Sequence, residues 1–213
     1  MYLFRRFLNF FLNVYYRMNY IYNYFENANL ILPKTESHGS LWLGNYKSAL
    51  DEDFLIDNDI SVITNCSVDL PYIFDVIDSD ILKIRKLETF RIAVYDSLLD
   101  HDIYLMEKYF HVILPILIKK LFKEKKNILI HCYAGKQRSA ILVTALLYIL
   151  VSEKKLSKKE QSLICKDKCK IDEKKCIMNC VIQYILKNRS QVFTYGFRIN
   201  FKQALEKYFN FTL

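Results

Sequence analysis

A cysteine and an arginine, separated by five residues, lie between a short apolar run and a longer one. Cys132 follows His131 at the end of Asn127–His131, and Arg138 is followed by Ser139. A cysteine thiolate is a good nucleophile, and a planar guanidinium can bind two oxygens of a phosphoryl group at once. The pair therefore indicates nucleophilic chemistry on a phosphoryl group.

The residues between this cysteine and this arginine form a segment that can bind an oxyanion. A tight loop between a strand and a helix turns successive backbone N–H groups to one side, and the positive end of the helix dipole points to the same place. Gly135 accepts a backbone conformation that a larger residue would resist. This setting favours the thiolate form of Cys132. Because the loop and helix supply positive charge, we expect no metal and no other cofactor.

The sequence of this loop, HCYAGKQRSA at residues 131–140, resembles the HC-x5-R-[ST] signature of the cysteine-based protein phosphatases. Their dual-specificity members also resemble this chain at Ser40–Leu55, Ile60–Ser67, Arg91–Ile103 and Phe197–Tyr208. The resemblance covers about residues 38–208, without part of a region rich in lysine and cysteine. It implies hydrolysis of phosphotyrosine and phosphoserine/threonine in phosphorylated proteins.

The resemblance also implies the roles of individual residues. Cys132 would attack phosphorus and form a phosphocysteine intermediate, while Arg138 and the amides of residues 133–138 would stabilise the equatorial oxygens. Ser139 would hydrogen-bond the departing thiolate of Cys132 in the second step. His131 would hold the loop and tune the thiolate rather than act as a base. The residues expected to bind the substrate are His131, Tyr133, Ala134, Gly135, Lys136 and Gln137.

Three aspartates compete for the role of the general acid, which protonates the leaving oxygen and then activates water. Asp96 directly follows a predicted strand, as the acid does in the family, and is favoured. Asp100 is the alternative, and Asp102 is expected to cap the helix that follows.

Two residues of the loop depart from the commoner family pattern, which has small or apolar residues at Lys136 and Gln137. Phosphoinositide phosphatases carry a CK-x-GK-x-R loop, but Tyr133 replaces the first of those lysines here. Lys136 is expected to lean into solvent at the rim of the pocket. A phosphoinositide phosphatase, an RNA 5′-triphosphatase and a non-catalytic phosphate-binding module remain alternatives.

The elements that must position these residues alternate between strands and helices. This order predicts an α/β fold with a central mixed, mostly parallel sheet flanked by helices, the cysteine-phosphatase fold. Pro115 predicts a kink or a break in one of the helices. The predicted elements are the strands Leu41–Leu43, Ser61–Asn65, Phe90–Tyr95 and Asn127–His131, the helices Ser48–Asn58, Asp102–Phe122, Ser139–Leu150 and Phe197–Phe209, one or two helices within residues 152–189, and a loop at Val192–Gly196.

The first 32 residues predict an extra N-terminal helix that ends before Pro33. Its apolar seam would pack on the same chain or on a second copy, forming a homodimer, or would lie on a membrane surface. A cleaved targeting peptide is a further alternative. We expect a helical extension over residues 1–37 and a catalytic domain over 38–213. The seam consists of Phe4, Phe7, Phe11, Val14, Met18, Ile21 and Phe25.

Charge and composition restrict the setting of the protein. The net charge is +8 and the pI about 9.0, which favours anionic partners such as phosphoproteins. The lysine runs are nevertheless expected to be solvated surface, and no nucleic-acid partner is expected. No apolar stretch reaches the ~20 residues of a membrane span. We expect an intracellular, cytoplasmic protein, packaged in a virion if the AT-rich bias of its composition reflects a viral source.

Six cysteines fit a reducing compartment better than a secreted disulfide framework. Four of them, Cys165, Cys169, Cys176 and Cys180, would share one stripe if they lay on a continuous helix. Small apolar packing is the favoured explanation, and inter-chain disulfides or metal binding between two copies are the alternatives. Cys66 ends a predicted buried strand and is expected to be inert.

Overall fold

The computed structural model describes residues 26–97, 99–165, 173–193 and 201–213. Within these ranges a sheet has the strand order β1-β2-β5-β3-β4. The β1 and β2 strands are antiparallel, and the other three neighbouring pairs are parallel. The predicted mixed, mostly parallel sheet is therefore confirmed. The strands are β1 (Ala28–Leu32), β2 (Leu41–Gly44), β3 (Ile60–Asn65), β4 (Glu88–Arg91) and β5 (Asn127–His131).

Helices cover both faces of this sheet. Buried residues form two clusters, one on each face. Along β5, Ile128 and Ile130 belong to one cluster and Leu129 to the other, as the alternation of side chains in a strand requires. The helices are α1 (Tyr46–Ala49), α2 (Glu52–Asp57), α3 (Asp80–Ile84), α4 (Asp100–Ile118), α5 (Arg138–Ser152), α6 (Lys158–Ile164), α7 (Glu173–Asn188) and α8 (Lys202–Phe209).

The β5 strand is central and every one of its residues is buried, as predicted. Its last residue, His131, is in register with Gly44 of β2 and with Asn65 of β3. The carboxyl ends of three parallel strands therefore meet at one edge of the sheet. The chain that follows β5 begins at this edge and leads into α5, so the fold places the loop with Cys132 there.

The helix predicted over Ser48–Asn58 is instead two short helices, α1 and α2. The carboxylate of Asp51 accepts a hydrogen bond from the backbone N of Phe54 at 3.0 Å and caps α2. Such a side-chain cap competes with continuation of the preceding helix. The apolar spacing alone did not reveal this interruption.

The strand predicted over Phe90–Tyr95 lies earlier, at Glu88–Arg91. Its partner β3 ends at Asn65, which is in register with Arg91, so the ladder has no partner beyond this point. Val94 N then bonds Ile92 O at 2.9 Å, in a tight turn that leads the chain out of the sheet. The chain thus leaves the sheet after Arg91, before Tyr95, where the strand was predicted to end.

The α4 helix contains Pro115 and continues through it, so of the predicted kink or break the break does not occur. It begins two residues earlier than predicted, and after Ile118 the chain continues as a π-helix at Lys119–Lys123. A proline in a helix removes one backbone hydrogen bond. The α4 helix also buries a row of apolar residues, and their packing against the core stabilises the helix. Among the described residues, no helix is long and apolar enough to cross a membrane.

The helix expected to reach residue 32 does not extend that far, because Ala28–Leu32 is the edge strand β1. Pairing with β2 gives β1 its backbone hydrogen bonds, and Ile31 and Leu32 are buried. A short apolar run does not by itself specify whether it forms a helix or a strand. The aromatic seam of residues 4–25 lies outside the described residues.

The described residues between 152 and 189 contain two helices, α6 and α7, as one of the alternatives predicted. The backbone of Cys165 is extended after α6 (φ −128°, ψ 102°), so the cysteines do not lie on one continuous helix. Cys176 and Cys180 lie on α7, and Cys169 lies outside the described residues. The closing helix is confirmed at Lys202–Phe209, while its predicted start and most of the preceding loop also lie outside them.

Candidate active site

The loop of residues 132–137 connects β5 to α5. Cys132 is 2 % exposed, and its Sγ accepts a hydrogen bond from Ser139 Oγ at 3.2 Å. Ser139 lies in the first turn of α5 and is fully buried. The sulfur therefore faces the N-terminal end of this helix, where backbone amides and the helix dipole favour a negative charge.

Four successive carbonyl groups of the loop each accept a hydrogen bond from a donor outside it. Tyr46 N donates to Tyr133 O at 3.1 Å, and Phe193 N donates to Lys136 O at 3.0 Å. Between them, Arg189 donates to the carbonyls of residues 134 and 135, at 3.5 Å from Nη2 and 2.9 Å from Nε. In a planar trans peptide the N–H points opposite to the C=O. The N–H groups of residues 134–137 are therefore directed to the other side of the loop, as an anion nest requires.

The loop turns at Gly135, where φ is +66°. A Cβ at this position would lie 2.5 Å from Gly44 O and 2.6 Å from Arg189 Nη2. Both the left-handed backbone and the close approach exclude a larger residue. The conformational role that the sequence predicted for Gly135 has this physical basis.

The predicted clamp and the predicted acid lie side by side. Arg138 Nε is 3.7 Å from Asp96 Oδ2, an ion pair that is longer than a hydrogen bond. Arg138 Nη1 donates to Val94 O at 3.1 Å, which ties the arginine to the chain that leads to Asp96. The Asp96 side chain is 43 % exposed, so it can reach a substrate that arrives from solvent.

Asp102 does not cap α4, so that prediction is wrong. The residue before the helix is Leu99, which makes no side-chain cap. Asp102 is 4 % exposed, and its carboxylate accepts hydrogen bonds from Tyr95 N at 3.3 Å and from Ser97 Oγ. It therefore holds the residues on either side of Asp96. Asp100, the alternative acid, is exposed at the first residue of α4.

His131 is buried directly before the nucleophile. The pKa of His131 is lowered to about 4, chiefly by burial and with smaller effects of the charges of Arg91 and Arg138, against a hydrogen bond with the backbone of Cys132 that raises it. The imidazole is therefore neutral at physiological pH. A neutral ring can hold the loop by hydrogen bonding but adds no positive charge to it.

A second cysteine lies beside this strand end. Cys66 is fully buried, and its backbone N donates to His131 O at 2.7 Å. Burial raises the pKa of the Cys66 thiol well above its ordinary value, and a negative charge on Cys132 raises it further, against the effect of Arg138. Cys66 is therefore a thiol at neutral pH.

The three larger side chains that remain in the loop differ in exposure. Tyr133 is 64 % exposed, whereas Gln137 is 2 % exposed and Lys136 is half-buried. Burial lowers the pKa of Lys136, as does the nearby charge of Arg189. Lys136 is therefore less solvated than the sequence led us to expect.

Sequence reasoning did not identify two arginines near the loop as functional residues. Arg189 contacts the loop from α7, and Arg91 bonds the carbonyls of Ser67, Val68 and Leu70 at 2.9–3.0 Å after β3. Arg189 is the one arginine of residues 152–189, whose other basic residues are lysines. An isolated arginine among lysines could have indicated a specific contact, because a planar guanidinium can donate to two acceptors at once.

Comparison with known proteins shows the family of this chain. The family described as "Dual specificity phosphatase, catalytic domain" matches residues 41–210, and the chain belongs to this family. An Amsacta moorei entomopoxvirus protein named "Putative tyrosine-protein phosphatase AMV078" is 36 % identical over 101 residues. That match covers 47 % of this chain, and the chain spans 55 % of the length of that relative.

Solved structures are similar in fold at low sequence identity. Human DUSP28 is 16 % identical, with a TM-score of 0.54 over 86 % of this chain and 93 % of that one. The Yvh1 phosphatase domain from Chaetomium thermophilum is 16 % identical, with a TM-score of 0.55 over 85 % and 95 %. The arrangement of strands and helices is thus that of dual-specificity phosphatases.

Proposed function

We propose that this protein hydrolyses phosphotyrosine and phosphoserine/threonine in protein substrates through a phosphocysteine intermediate. The observation that carries the proposal is the loop whose four carbonyls bond outward while Cys132 Sγ faces the start of α5. Membership of the dual-specificity phosphatase family supports the same activity.

In the first step, Cys132 attacks phosphorus and the sulfur–phosphorus bond forms as the bond to the leaving oxygen breaks. Asp96 gives its proton to that oxygen. Arg138 and the loop amides bind the equatorial oxygens, whose charge they stabilise. In the second step, Asp96 takes a proton from water, which attacks phosphorus and releases phosphate. Ser139 donates its hydrogen bond to the departing thiolate.

The remaining residues of the loop bind the substrate in this proposal. His131, Tyr133, Ala134, Gly135, Lys136 and Gln137 form the wall around the phosphoryl group, and the exposed Tyr133 contacts the peptide beyond it. The division of the chain at residue 37 stays a prediction: the family match begins at residue 41, but β1 at Ala28–Leu32 already belongs to the sheet. Homodimer formation and membrane contact through residues 1–25 stay predictions.

The test compares phosphopeptides, phosphoinositides and a small aryl phosphate as substrates for the wild type and Cys132→Ser. We expect turnover of the aryl phosphate and of phosphopeptides by the wild type, and none by the variant. Turnover that survives Cys132→Ser would remove the proposed nucleophile. Release of phosphate from lipid head groups but not from peptides would favour a phosphoinositide phosphatase. Binding without any turnover would indicate a phosphate-binding module.

A further inference from the structure

Arg189 is a buried arginine that contacts the loop from behind. Its relative exposure is 2 %, although it carries a charge that water would solvate well. Burial lowers the pKa of Arg189 to about 10, while the negative charges of Cys132 and Glu26 oppose that shift. The side chain is therefore still a cation at neutral pH. Burial of a cation is costly unless it is well hydrogen-bonded.

The hydrogen bonds of this guanidinium reach two parts of the chain. On one side, Nε donates to Gly135 O at 2.9 Å, and Nη2 makes a weaker contact with Ala134 O at 3.5 Å. On the other side, Nη1 donates to Asn29 Oδ1 at 2.6 Å and to Glu26 O at 3.1 Å. The guanidinium thus joins the middle of the loop to the segment at β1.

The orientation of the loop carbonyls decides the orientation of its amides. Because C=O and N–H point in opposite directions in each peptide, a donor that holds Gly135 O outward also directs the N–H of Lys136 inward. The same holds for Ala134 O and the N–H of residue 135. Tyr46 N and Phe193 N hold only the ends of the loop, through residues 133 and 136. Arg189 is the donor in the middle.

We infer that Arg189 is a positioning residue, which holds the two central peptides of the loop so that their amides face the phosphoryl group. The inference rests on the proposed function and deepens it. Arg189 does not touch the substrate, so its effect passes through backbone N–H groups. Asn29, on the far side, accepts a hydrogen bond from Nη1 at 2.6 Å and so helps to hold the guanidinium beside the loop.

The central variant is Arg189→Lys, which keeps the positive charge but loses the planar fork. Arg85→Lys is the matched control, since Arg85 Nη1 also donates to a backbone carbonyl, Ile56 O at 3.0 Å, but on the opposite face of the sheet. Circular dichroism and thermal unfolding establish that each variant is folded. Asn29→Ala provides a second, milder change that leaves Arg189 in place.

Three readouts separate positioning from general destabilisation. The first is kcat and KM with an aryl phosphate. The second is the rise in Tm that inorganic phosphate causes, which reports binding to the native loop. The third is the ratio of the rates at which Cys132 reacts with anionic iodoacetate and neutral iodoacetamide. A loose fold would change both alkylation rates alike, whereas misdirected amides would slow the anionic reagent selectively.

We expect folded Arg189→Lys to lose at least about tenfold in kcat/KM, the size of effect that loss of one oriented donor can have. We also expect a smaller rise in Tm with phosphate and a lower alkylation ratio, with Asn29→Ala changed in the same direction and Arg85→Lys unchanged. A folded Arg189→Lys with wild-type values in all three measurements would overturn the inference. If that variant does not fold, unchanged phosphate binding in Asn29→Ala overturns it, and weakened binding supports it.

The failure of the proposed function would have a different signature. A wild type that binds phosphate but turns over no phosphate ester would contradict the proposed function. In that case the phosphate-induced rise in Tm and the alkylation ratio still decide whether Arg189 orients the loop.

Discussion

At the scale of single residues, Asp96 and Asp102 have separate tasks in the proposed mechanism. Asp96 is partly exposed beside the guanidinium, where it can exchange a proton with a substrate or with water. Asp102 is buried and holds the backbone around Asp96. In the proposed mechanism Asp96 acts as the acid, and Asp102 holds the backbone on either side of it. Their exposures, rather than their positions in the sequence, separate these tasks.

We predict that Asp96→Asn lowers kcat about 100-fold or more with a phosphopeptide, because the leaving oxygen departs without a proton. The loss should be smaller with an aryl phosphate whose leaving group is acidic. Steady-state kinetics with both substrates measure the difference. Asp100→Asn is the matched control and should keep wild-type kcat, since Asp100 is exposed at the start of α4. A larger loss in Asp100→Asn than in Asp96→Asn would transfer the acid role to Asp100.

We predict that Asp102→Ala also lowers kcat with a phosphopeptide, by a smaller factor than Asp96→Asn. The change frees Tyr95 N and Ser97 Oγ, so Asp96 is no longer held beside the substrate. Phosphate binding should be nearly unchanged, because the loop of residues 132–137 is untouched. Kinetics and the phosphate-induced rise in Tm distinguish the two effects. Equal loss of both in a folded variant would show that Asp102 supports the loop instead.

The β5 strand, the loop and α5 act together at the scale of elements. The strand is buried along its whole length, and α5 is buried on nearly all sides, so neither can shift without disturbing the core. A loop between two such elements has fixed ends. Cys132 and Arg138 therefore keep their separation, and no direct contact between them is needed.

We predict that Gly135→Ala disrupts this unit. A non-glycine residue at φ +66° costs about 1–2 kcal/mol, and the added Cβ would also meet Gly44 O at 2.5 Å. We expect a lower free energy of unfolding in urea, and loss of phosphate binding because the peptides on both sides must move. Ser152→Ala, at the exposed end of α5, should change neither quantity. A Gly135→Ala variant that binds phosphate like the wild type would contradict the proposed backbone constraint.

At the scale of the whole molecule, a buried polar pair joins distant parts of the chain. His38 Nε2 lies 2.8 Å from Glu160 Oε1, across 122 residues of sequence, and both residues are buried. Ser157 N and Oγ also donate to Glu160, at 2.9 and 2.6 Å. The pair fastens α6 to the segment before β2.

We predict that this contact makes stability sensitive to acid. Burial raises the pKa of Glu160, but hydrogen bonds from Ser157 and His38 outweigh it, so the net pKa lies below the ordinary 4.5. The unfolded state then binds more protons than the folded state near and below pH 4.5, and stability falls as pH decreases through this range. Above pH 4.5 the contribution is fully present.

The measurement is the free energy of unfolding in urea as a function of pH. Glu160→Gln should be less stable than the wild type at neutral pH, and the difference should shrink as the pH falls below 4.5. Glu36→Gln, at an exposed glutamate, should follow the wild type. A difference between Glu160→Gln and the wild type that does not depend on pH would show that the carboxylate charge is not involved.

The family, the α/β class and the core of the site followed from the sequence by itself. A nucleophile, a glycine and an arginine at fixed spacing between two apolar runs are local features, and local backbone preferences suffice to give the strand, the loop and the helix. The β5 strand, the start of α5 and the position of Gly135 were predictable for this reason. Asp96 was favoured over its neighbours because it follows a predicted strand, although the observed strand β4 ends earlier, at Arg91.

Only the tertiary structure decided what lies around that loop. Residues 28–32 became a strand because β2 offered an unpaired edge, and a short apolar run carries no information about such a partner. The contacts of Asp102 and Arg189 depend on groups that the fold brings near them. Arg189 donates to the carbonyl of Gly135, which lies 54 positions earlier in the chain. Long-range contacts satisfy buried polar groups, and the spacing of residues along the chain does not encode which groups will meet.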